Sequence, residues 1–356
     1  MRNLVLAPLS LLVALAGCSS TEPGSGDASG SGGNNAAGSS ASTGSGGLGS
    51  GGSAPTGGVG GGQAGSGVVG GAGGTTGGVA AGGAGNGGTG GSVGGASGSA
   101  GTGGSATSQG CGSTTLPQSG TFSIDVDGTS RDYILNIPED YDPNHPYILI
   151  FGWHWRGGNA QDVAGGGFFG KYYGLEERAN GTAIFVAPEG LVDNDVSGWA
   201  NPGGRDIKFL DAMLERFRAD LCIDESRIFS TGFSYGGMMS FAVGCARGDV
   251  FRAIAPMAGA TYSGCEDGTA PVAMWGSHGY SDGADGVVPI DNGRSARDVF
   301  LERNGCGTET MPVEPDECVS YQGCQAGYPV TWCEWDGGHS VPSFAGEAIW
   351  DFFSQF

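Results

Sequence analysis

The distribution of aromatic residues divides this chain in two. The 356-residue sequence contains 76 glycines, and between Cys18 and Cys111 it is built mostly from glycine, serine, alanine and threonine. The first aromatic residue is Phe122, and every other aromatic side chain follows it. Ordering a residue costs about 1–2 kcal/mol of backbone entropy, which a stretch without large apolar side chains cannot recover by burial. The composition therefore predicts a disordered linker over residues 19–110 and one folded domain over residues 111–356.

The first eighteen residues are typical of an export signal. One basic residue precedes an apolar run from Leu4 to Ala16, which is too short to span a bilayer comfortably. The motif LAGC ends at Cys18 and resembles a bacterial lipobox, in which this cysteine becomes the lipidated first residue of the mature protein. An ordinary secretory signal, with Cys18 as a bystander, is the alternative. We expect a lipoprotein signal peptide over residues 1–18 and a membrane contact made only through a lipid anchor on Cys18.

Ser19 follows this cysteine, and by the same resemblance it favours the outer membrane over retention at the inner membrane. The expected location is therefore the cell surface, as an outer-membrane lipoprotein, or the medium, as a secreted protein.

Cysteine usage also indicates export. Eight of the nine cysteines belong to the folded part: Cys111, Cys222, Cys245, Cys265, Cys306, Cys318, Cys324 and Cys333. An even set in an exported domain predicts disulfides, although the sequence cannot select the pairs. A metal site is the alternative, but there is no paired C-x-x-C motif and the chain has only 4 histidines. We therefore expect no metal.

The chain is strongly acidic, with a formal net charge of −21 at pH 7. Nucleic acids and anionic lipid surfaces both attract basic patches. The charge therefore argues against nucleic acid as a partner, and it indicates little else beyond a solvated surface.

The folded part alternates between two hydrophobic patterns. Residues 121–138 alternate around an Asp-Gly turn and predict a β-hairpin. Continuous apolar runs, typical of strands buried on both faces, occupy residues 147–153, 182–188, 227–233, 251–259, 271–277 and 330–336. Helical spacing occurs at residues 204–221, 235–246, 293–305 and 344–356. This alternation predicts an α/β fold with a mostly parallel central sheet and helices on both faces.

Ser234 lies in the sequence GFSYG, between an apolar run and a helical pattern. A nucleophilic serine at such a strand-to-helix turn has its hydroxyl exposed and its backbone strained. Gly232 and Gly236 would remove the side chains that clash at the turn. A serine in an ordinary glycine-rich turn is the alternative, but the context predicts a nucleophile.

A serine nucleophile requires a base and an acid that orients the base. His339 follows the last predicted strand and precedes the final helix, where a serine hydrolase of this type places its histidine. The acid should follow the strand at 271–277, and the next loop offers Asp282 and Asp285. Either carboxylate could accept the Nδ1 hydrogen of His339, so the residues alone leave both candidates open.

Two backbone amides should stabilise the negative charge that develops on the substrate oxygen. The amide of Tyr235 follows the nucleophile at the start of a helix, which makes it the first candidate. The loop FGWHWRGGNA supplies the second, with Trp155 and Arg156 as candidates. Trp153 and Trp155 could form an aromatic substrate wall or belong to the core.

Several motifs together resemble the secreted feruloyl esterases of carbohydrate esterase family 1, a group that includes relatives of polyhydroxybutyrate depolymerases and acetylxylan esterases. They are GWHWRGGNA, GLVDNDVSGWAN, RIFSTGFSYGGMMSFAVGCARGDVFRAIAPMAGA, YPVTWCEWDGGHSVP and IWDFFSQF, and they follow one another over essentially the whole of residues 111–356. The resemblance implies an α/β-hydrolase fold, with Ser234 as nucleophile and His339 as base. In the family the acid lies in a G-x-x-D-x-V-x-P loop, and the segment DGVVP therefore favours Asp285. A family variant with H-G-x-x-D would place the acid at Asp282, and the loop is about six residues longer than the family spacing.

The resemblance also implies the reaction, which is hydrolysis of a hydroxycinnamoyl ester on plant polysaccharide without a metal or organic cofactor. An acetylxylan esterase or a polyhydroxyalkanoate depolymerase is the nearest alternative, because these enzymes share the triad. A non-catalytic surface binding protein on a hydrolase scaffold is a more distant one. The expected partner is an ester-bearing polysaccharide or polyester, and we expect a monomer.

Overall fold

The computed structural model describes residues 107–265, 268–284 and 287–356, all of which belong to the compact unit Val93–Phe356. The predicted signal peptide and most of the predicted linker lie outside the described residues. The strands in the described part are β1 Gly120–Val126, β2 Thr129–Asn136, β3 Tyr147–Trp153, β4 Ala183–Pro188, β5 Leu191–Asp193, β6 Val196–Gly198, β7 Ile223–Phe233, β8 Ala253–Met257, β9 Ala273–Gly279, β10 Thr310–Val313, β11 Cys318–Tyr321 and β12 Val330–Trp335. The α-helices in that part are α1 Ala160–Ala164, α2 Leu175–Ala179, α3 Arg205–Asp220, α4 Tyr235–Ala246, α5 Ile290–Arg303 and α6 Ala345–Phe353.

Ten of the strands described here form one sheet, in the order β1-β2-β4-β3-β7-β8-β9-β12-β11-β10. The six central strands, from β4 to β12, pair in parallel. Antiparallel strands extend the sheet at both edges, with β1 and β2 at one and β11 and β10 at the other. The remaining two strands, β5 and β6, form a separate hairpin. The predicted α/β-hydrolase fold, with a mostly parallel sheet, is thus confirmed.

Strand β3 shows why the central strands are apolar throughout. Successive side chains of a strand point to opposite faces of the sheet, and all seven residues of β3 are buried. Leu149 and Phe151 belong to one hydrophobic cluster with α3 and α4, whereas Ile148 and Ile150 belong to a second cluster with α2 and α6. Helices therefore cover both faces, as parallel sheets require. Within the described residues, none of the helices is long and apolar enough to cross a bilayer.

The chain enters the domain beside the amino end of β7. The amide of Ser108 donates to the carbonyl of Ile223 at 3.0 Å, and the amide of Gly110 donates to that of Arg218 at 2.9 Å. A Cβ atom on Gly110 would lie 2.4 Å from the backbone nitrogen of Leu221, so this segment packs directly against the loop that precedes β7. The packed part of the chain therefore includes residues 107–110, which composition assigns to the linker.

All eight cysteines of the domain are paired. The disulfides are Cys111–Cys222, Cys245–Cys265, Cys306–Cys324 and Cys318–Cys333. The first joins the entry segment to the start of β7, and the last joins β11 to β12. Four disulfides fit an oxidising compartment outside the cytoplasm.

We predict that removing the Cys111–Cys222 disulfide destabilises the protein more than removing Cys306–Cys324. The first pair is separated by 111 residues and the second by 18, and a longer closed loop restricts the unfolded chain more strongly. Replacing both cysteines of a pair by alanine should lower the free energy of unfolding by about 4–5 kcal/mol for the first pair and about 3 kcal/mol for the second. Urea unfolding of both double variants checks this, and a larger loss for Cys306–Cys324 would contradict it.

Candidate active site

Ser234 occupies a sharp turn between β7 and α4. Its backbone has φ 57° and ψ −118°, a conformation that a non-glycine residue adopts only when the surrounding structure enforces it. A Cβ atom on Gly232 would lie 2.5 Å from the carbonyl carbon of Gly236, and a Cβ atom on Gly236 would lie 2.0 Å from the carbonyl oxygen of Trp153. Both glycines are therefore required by close backbone contacts, as the GFSYG pattern predicts.

His339 bridges Ser234 and an aspartate. Its Nε2 atom lies 2.7 Å from Oγ of Ser234, and its Nδ1 atom lies 2.8 Å from Oδ2 of Asp282. The three residues follow β7, β9 and β12, whose carboxyl ends meet at one edge of the sheet because these strands are parallel. The side chain of Asp282 is fully buried, that of His339 is 13% exposed, and Ser234 is 7% exposed. The arrangement is that of a serine nucleophile, a general base and an orienting carboxylate.

The carboxylate that bonds to Nδ1 of His339 is that of Asp282, whereas the family resemblance favoured Asp285 and the residues alone left both candidates open. The chain turns immediately after β9, where the amide of Asp282 donates to the carbonyl of Gly279 at 3.2 Å. This turn brings Asp282 to His339 only three residues beyond the strand, so the extra length of the loop follows the acid and does not precede it. Asp285 itself lies outside the described residues.

Backbone hydrogen bonds join the acid loop to the histidine loop. The amide of Tyr280 donates to the carbonyl of Trp335, and the amide of Ser281 donates to that of Gly337, both at 2.9 Å. Gly279 lies against the same segment, since a Cβ atom there would be 2.3 Å from the carbonyl oxygen of Gly337. The distance between the carboxylate and the imidazole is therefore set by the backbone as well as by their own hydrogen bond.

The carboxyl group of Asp282 is held in its charged form. Burial acts to raise its pKa, but hydrogen bonds from His278 and His339 outweigh burial and keep the pKa well below its usual range. The role of the second histidine was not predicted from the sequence, which places His278 at the start of the acid loop, directly after the predicted strand at 271–277. Its only sequence signal is the spacing H-G-x-x-D to Asp282.

The two segments expected to supply the oxyanion donors lie side by side. Tyr235 begins α4, and the contact of Gly236 with Trp153 places this first turn against the end of β3, immediately before Trp155. The peptide that carries the amide of Trp155 is fixed through its own oxygen, because the carbonyl of His154 accepts a hydrogen bond from Nε1 of Trp199 at 2.8 Å. The assignment of the amides of Tyr235 and Trp155 as oxyanion donors stays a prediction.

His154 supports the same loop from inside the protein. It is fully buried, its Nδ1 atom lies 2.7 Å from the carbonyl oxygen of Trp155, and its Nε2 atom accepts from the amide of Gly190 at 2.9 Å. These contacts define a neutral imidazole with its hydrogen on Nδ1. The carboxylate of Glu189, 3.9 Å from Nε2, therefore faces an atom without a proton and forms no ion pair with it.

Aromatic side chains extend from the triad to the surface. Phe233 packs against His339 with ring centroids 4.9 Å apart, and Phe169 packs against Phe233 at 5.3 Å. Trp155 contacts Phe169 at 5.4 Å, so it belongs to this aromatic surface. Trp153, by contrast, is fully buried and donates from Nε1 to Oγ of Ser230. The substrate-wall interpretation thus suits Trp155, and Trp153 belongs to the core.

Phe168 continues this surface into solvent, and the residue is 93% exposed. Sequence reasoning missed both phenylalanines, although their glycine-rich context, GGGFFG, is unusual for core residues.

We predict that His154 makes folding stability fall as the pH is lowered from 7 to 4. Burial lowers the pKa of His154 from 6.5 to about 4, against smaller opposing effects of its bond to Trp155 and of Asp162. The unfolded chain therefore binds a proton at a pH where the folded protein does not. This contribution is present above pH 6.5 and is lost as the pH falls towards 4, by on the order of 3 kcal/mol.

Urea unfolding at several pH values tests this, with His154→Asn as the variant and His145→Asn as the control. His154→Asn should flatten the pH dependence, whereas replacement of the exposed His145 should leave it close to that of the wild type. Identical pH dependence of the wild type and His154→Asn would contradict the prediction.

Comparisons with known proteins agree with this geometry. Residues 194–282 match the prolyl oligopeptidase family. Feruloyl esterase C of Emericella nidulans is 42% identical over 259 residues, which cover 70% of this chain and 91% of the relative. Feruloyl esterase D of Neurospora crassa is 41% identical over 271 residues, with the same shares of 70% and 91%.

Among solved structures, acetyl xylan esterase from Aspergillus awamori superposes with a TM-score of 0.54 at 14% identity, covering 66% of this chain and 99% of that one. At this identity the likeness shows the fold alone. The two feruloyl esterases share far more of the sequence, over 70% of this chain. The chain belongs to the feruloyl esterase family and is a carboxylic ester hydrolase.

Proposed function

We propose that the protein hydrolyses hydroxycinnamoyl esters attached to plant polysaccharide, with Ser234, His339 and Asp282 as its catalytic triad. The observation that carries the proposal is the unbroken chain of short contacts from Oγ of Ser234 through His339 to Asp282. Family membership supplies the substrate class, since the relatives are feruloyl esterases. The mechanism then follows from the positions of these groups.

Acylation begins when Nε2 of His339 accepts the proton of the Ser234 hydroxyl. The serine oxygen attacks the ester carbonyl carbon, and the charge that develops on the carbonyl oxygen is stabilised by backbone amides, for which Tyr235 and Trp155 are the candidates. Asp282 fixes the tautomer of His339 and stabilises its positive charge. The carbon–oxygen bond to the sugar then breaks, His339 gives its proton to the departing sugar hydroxyl, and an acyl-serine is formed.

Deacylation repeats the same steps with water. His339 takes a proton from a water molecule, which attacks the acyl-serine, and then returns the proton to Oγ of Ser234 as the hydroxycinnamic acid leaves. The protein's own residues supply every proton transfer in this cycle.

The leaving group of the acylation step is the sugar hydroxyl, so the sugar lies on the side of the site that faces His339. Because His339 protonates the sugar oxygen, the sugar must lie within reach of Nε2 of this histidine. A cleft of about 230 Å³ includes Val341, which is two residues from His339 in the sequence. The cleft is lined by Phe168, Phe169, Tyr173, Gly174, Arg178, Val341, Pro342, Ser343 and Gly346. Aromatic faces carry partial negative charge and attract polarised C–H groups such as those of a sugar ring. We assign this cleft to the polysaccharide.

We predict that the protein hydrolyses methyl ferulate and that Ser234→Ala abolishes this activity. Loss of the nucleophile should lower kcat by about 10⁴-fold or more, because the triad acts as a unit. Steady-state hydrolysis of methyl ferulate and of a short aryl acetate measures this. Turnover of the acetate alone would move the substrate class to acetyl or hydroxyalkanoate esters, and inactivity of the folded protein on both would overturn the proposed function.

The role of Asp282 is tested in the same assay by a matched pair of variants in one loop. Asp282→Asn should lower kcat by about 10⁴-fold, because the amide favours the wrong tautomer of His339. Asp285→Asn makes the same chemical change three residues further along the sequence and should leave kcat within about two-fold of the wild type, because it removes no member of the proposed triad. The reverse order of effects would assign the acid to Asp285.

We predict that Phe168→Ala weakens the binding of feruloylated polysaccharide without affecting methyl ferulate. Phe168 is 93% exposed, so its removal should not perturb folding. KM for a feruloylated arabinoxylan fragment should rise about five-fold, equivalent to ~1 kcal/mol of binding energy. Phe122→Ala, on the distant edge strand β1, is the control. Equal changes in KM for the polymer fragment and for methyl ferulate would show that Phe168 does not contact the sugar.

The place of action that we propose is the cell surface or the medium. The four disulfides support export. The lipobox-like motif ending at Cys18 supports a lipid anchor. A polymer too large to enter a cell would be reached by such a tethered or secreted enzyme.

A further inference from the structure

We propose that His278 is a positioning residue for the reaction, which holds the carboxylate of Asp282 in the orientation that His339 requires. The inference rests on the proposed function, because it assigns Asp282 to the triad. It adds a fourth residue, reached through the acid, to the three that carry the chemistry.

The geometry places His278 directly behind the acid. Its side chain is fully buried near the end of β9, and its Nε2 atom lies 3.1 Å from Oδ2 of Asp282. His339 approaches the same oxygen at 2.8 Å with its Nδ1 atom. One carboxylate oxygen therefore has two imidazole partners, one from the strand beneath it and one from the catalytic base.

The surroundings of His278 define its protonation state. Nε2 faces two acceptors, Oδ2 of Asp282 and the carbonyl oxygen of Val288 at 3.0 Å, so this nitrogen carries a hydrogen. Nδ1 is buried and has no hydrogen-bond partner among the described residues. It lies against Gly293 of α5, where a Cβ atom would be only 2.3 Å away. A hydrogen on Nδ1 would thus be buried without an acceptor, and the imidazole is neutral.

A neutral His278 can only donate to Asp282, and this restricts the carboxylate. The other oxygen, Oδ1, accepts from the amide of Val288 at 3.3 Å. His278 and Val288 are themselves hydrogen-bonded, so the three residues form a closed ring of contacts. Rotation of the carboxylate away from His339 would break bonds to a buried donor and leave that donor unsatisfied, which is energetically unfavourable.

This ring also connects the acid loop to strand β9 at two points. Asp282 and Val288 are six residues apart in this loop, and His278 bonds to both of them. The acid is therefore fixed from strand β9, independently of the residues in the middle of the loop. A long loop would otherwise be a poor support for a group that must be placed to within about 0.5 Å.

The test compares His278→Gln with His278→Asn, which differ by one methylene. The side-chain amide nitrogen of glutamine can reach the position of Nε2 and donate to Asp282, whereas that of asparagine is too short. With methyl ferulate as substrate, we expect kcat to fall about 10-fold to 100-fold in His278→Asn, as for loss of a hydrogen bond to a charged group, with KM within about two-fold. His278→Gln should retain most of the activity.

The same substitutions in an Asp282→Asn background identify the route of the effect. If His278 acts through Asp282, His278→Asn should change the residual kcat there by less than about two-fold, because coupled residues are not additive. Gly293→Ala is an additional variant, which keeps His278 but displaces its imidazole ring. If the position of this ring relative to Asp282 determines the activity, Gly293→Ala should lower kcat about 10-fold. Thermal unfolding of each variant establishes that it is folded.

Equal kcat values for His278→Gln and His278→Asn would overturn the proposal and leave His278 a core residue. The same conclusion would follow if the losses of kcat caused by His278→Asn and Asp282→Asn were fully additive in the double variant. If His278→Asn does not fold, Gly293→Ala provides the test, and full activity of this variant would also overturn the proposal. Failure of the proposed function looks different, since the wild-type protein would then show no esterase activity that depends on Ser234.

Discussion

The close contact between the first turn of α4 and the end of β3 is the constraint on which the site depends. Gly236 lies so near the carbonyl of Trp153 that no other residue fits there. This contact forces the turn at Ser234 into its strained conformation and brings the helix start beside the Trp155 segment. The strain at a non-glycine residue costs about 1–3 kcal/mol, which the packing of two buried elements offsets. The nucleophile is thus positioned by backbone proximity, before any contact of its own side chain is considered.

The elements that could be predicted from the sequence are those whose pattern is long. The helix α3 and the six central strands (β4, β3, β7, β8, β9 and β12) have enough consecutive helical or apolar positions to stand out, and each overlaps its predicted range. The helices α1 and α2 have only five residues each, too few for a helical period to be recognised. The short hairpin β5–β6 and the edge strands β10 and β11 have little apolar alternation, so tertiary contacts determine them.

The residues of the site also differ in how well the sequence predicts them. Ser234 and His339 follow recognisable strands, and their positions in the chain order identified them. Asp282 and Asp285 are three residues apart in the sequence, and it is the turn immediately after β9 that brings Asp282 to His339. The proposed role of His278 depends on the turn after β9, which brings Asp282 back to a residue only four positions before it. The disulfide pairs join cysteines 15 to 111 residues apart, and no local pattern encodes such pairings.

The path by which the chain enters the domain has a mechanical consequence. Residues 107–110 and the disulfide at Cys111 all attach to the amino end of β7 or to the segment just before it, while Ser234 follows its carboxyl end. A strand of 11 residues spans roughly 35 Å, so attachment and catalysis occupy opposite ends of the central strand. A force applied through the preceding chain therefore enters the domain at the covalent link between Cys111 and Cys222, at the end of β7 opposite Ser234. The lipid anchor proposed above would therefore hold the enzyme at the end of the central strand opposite its triad.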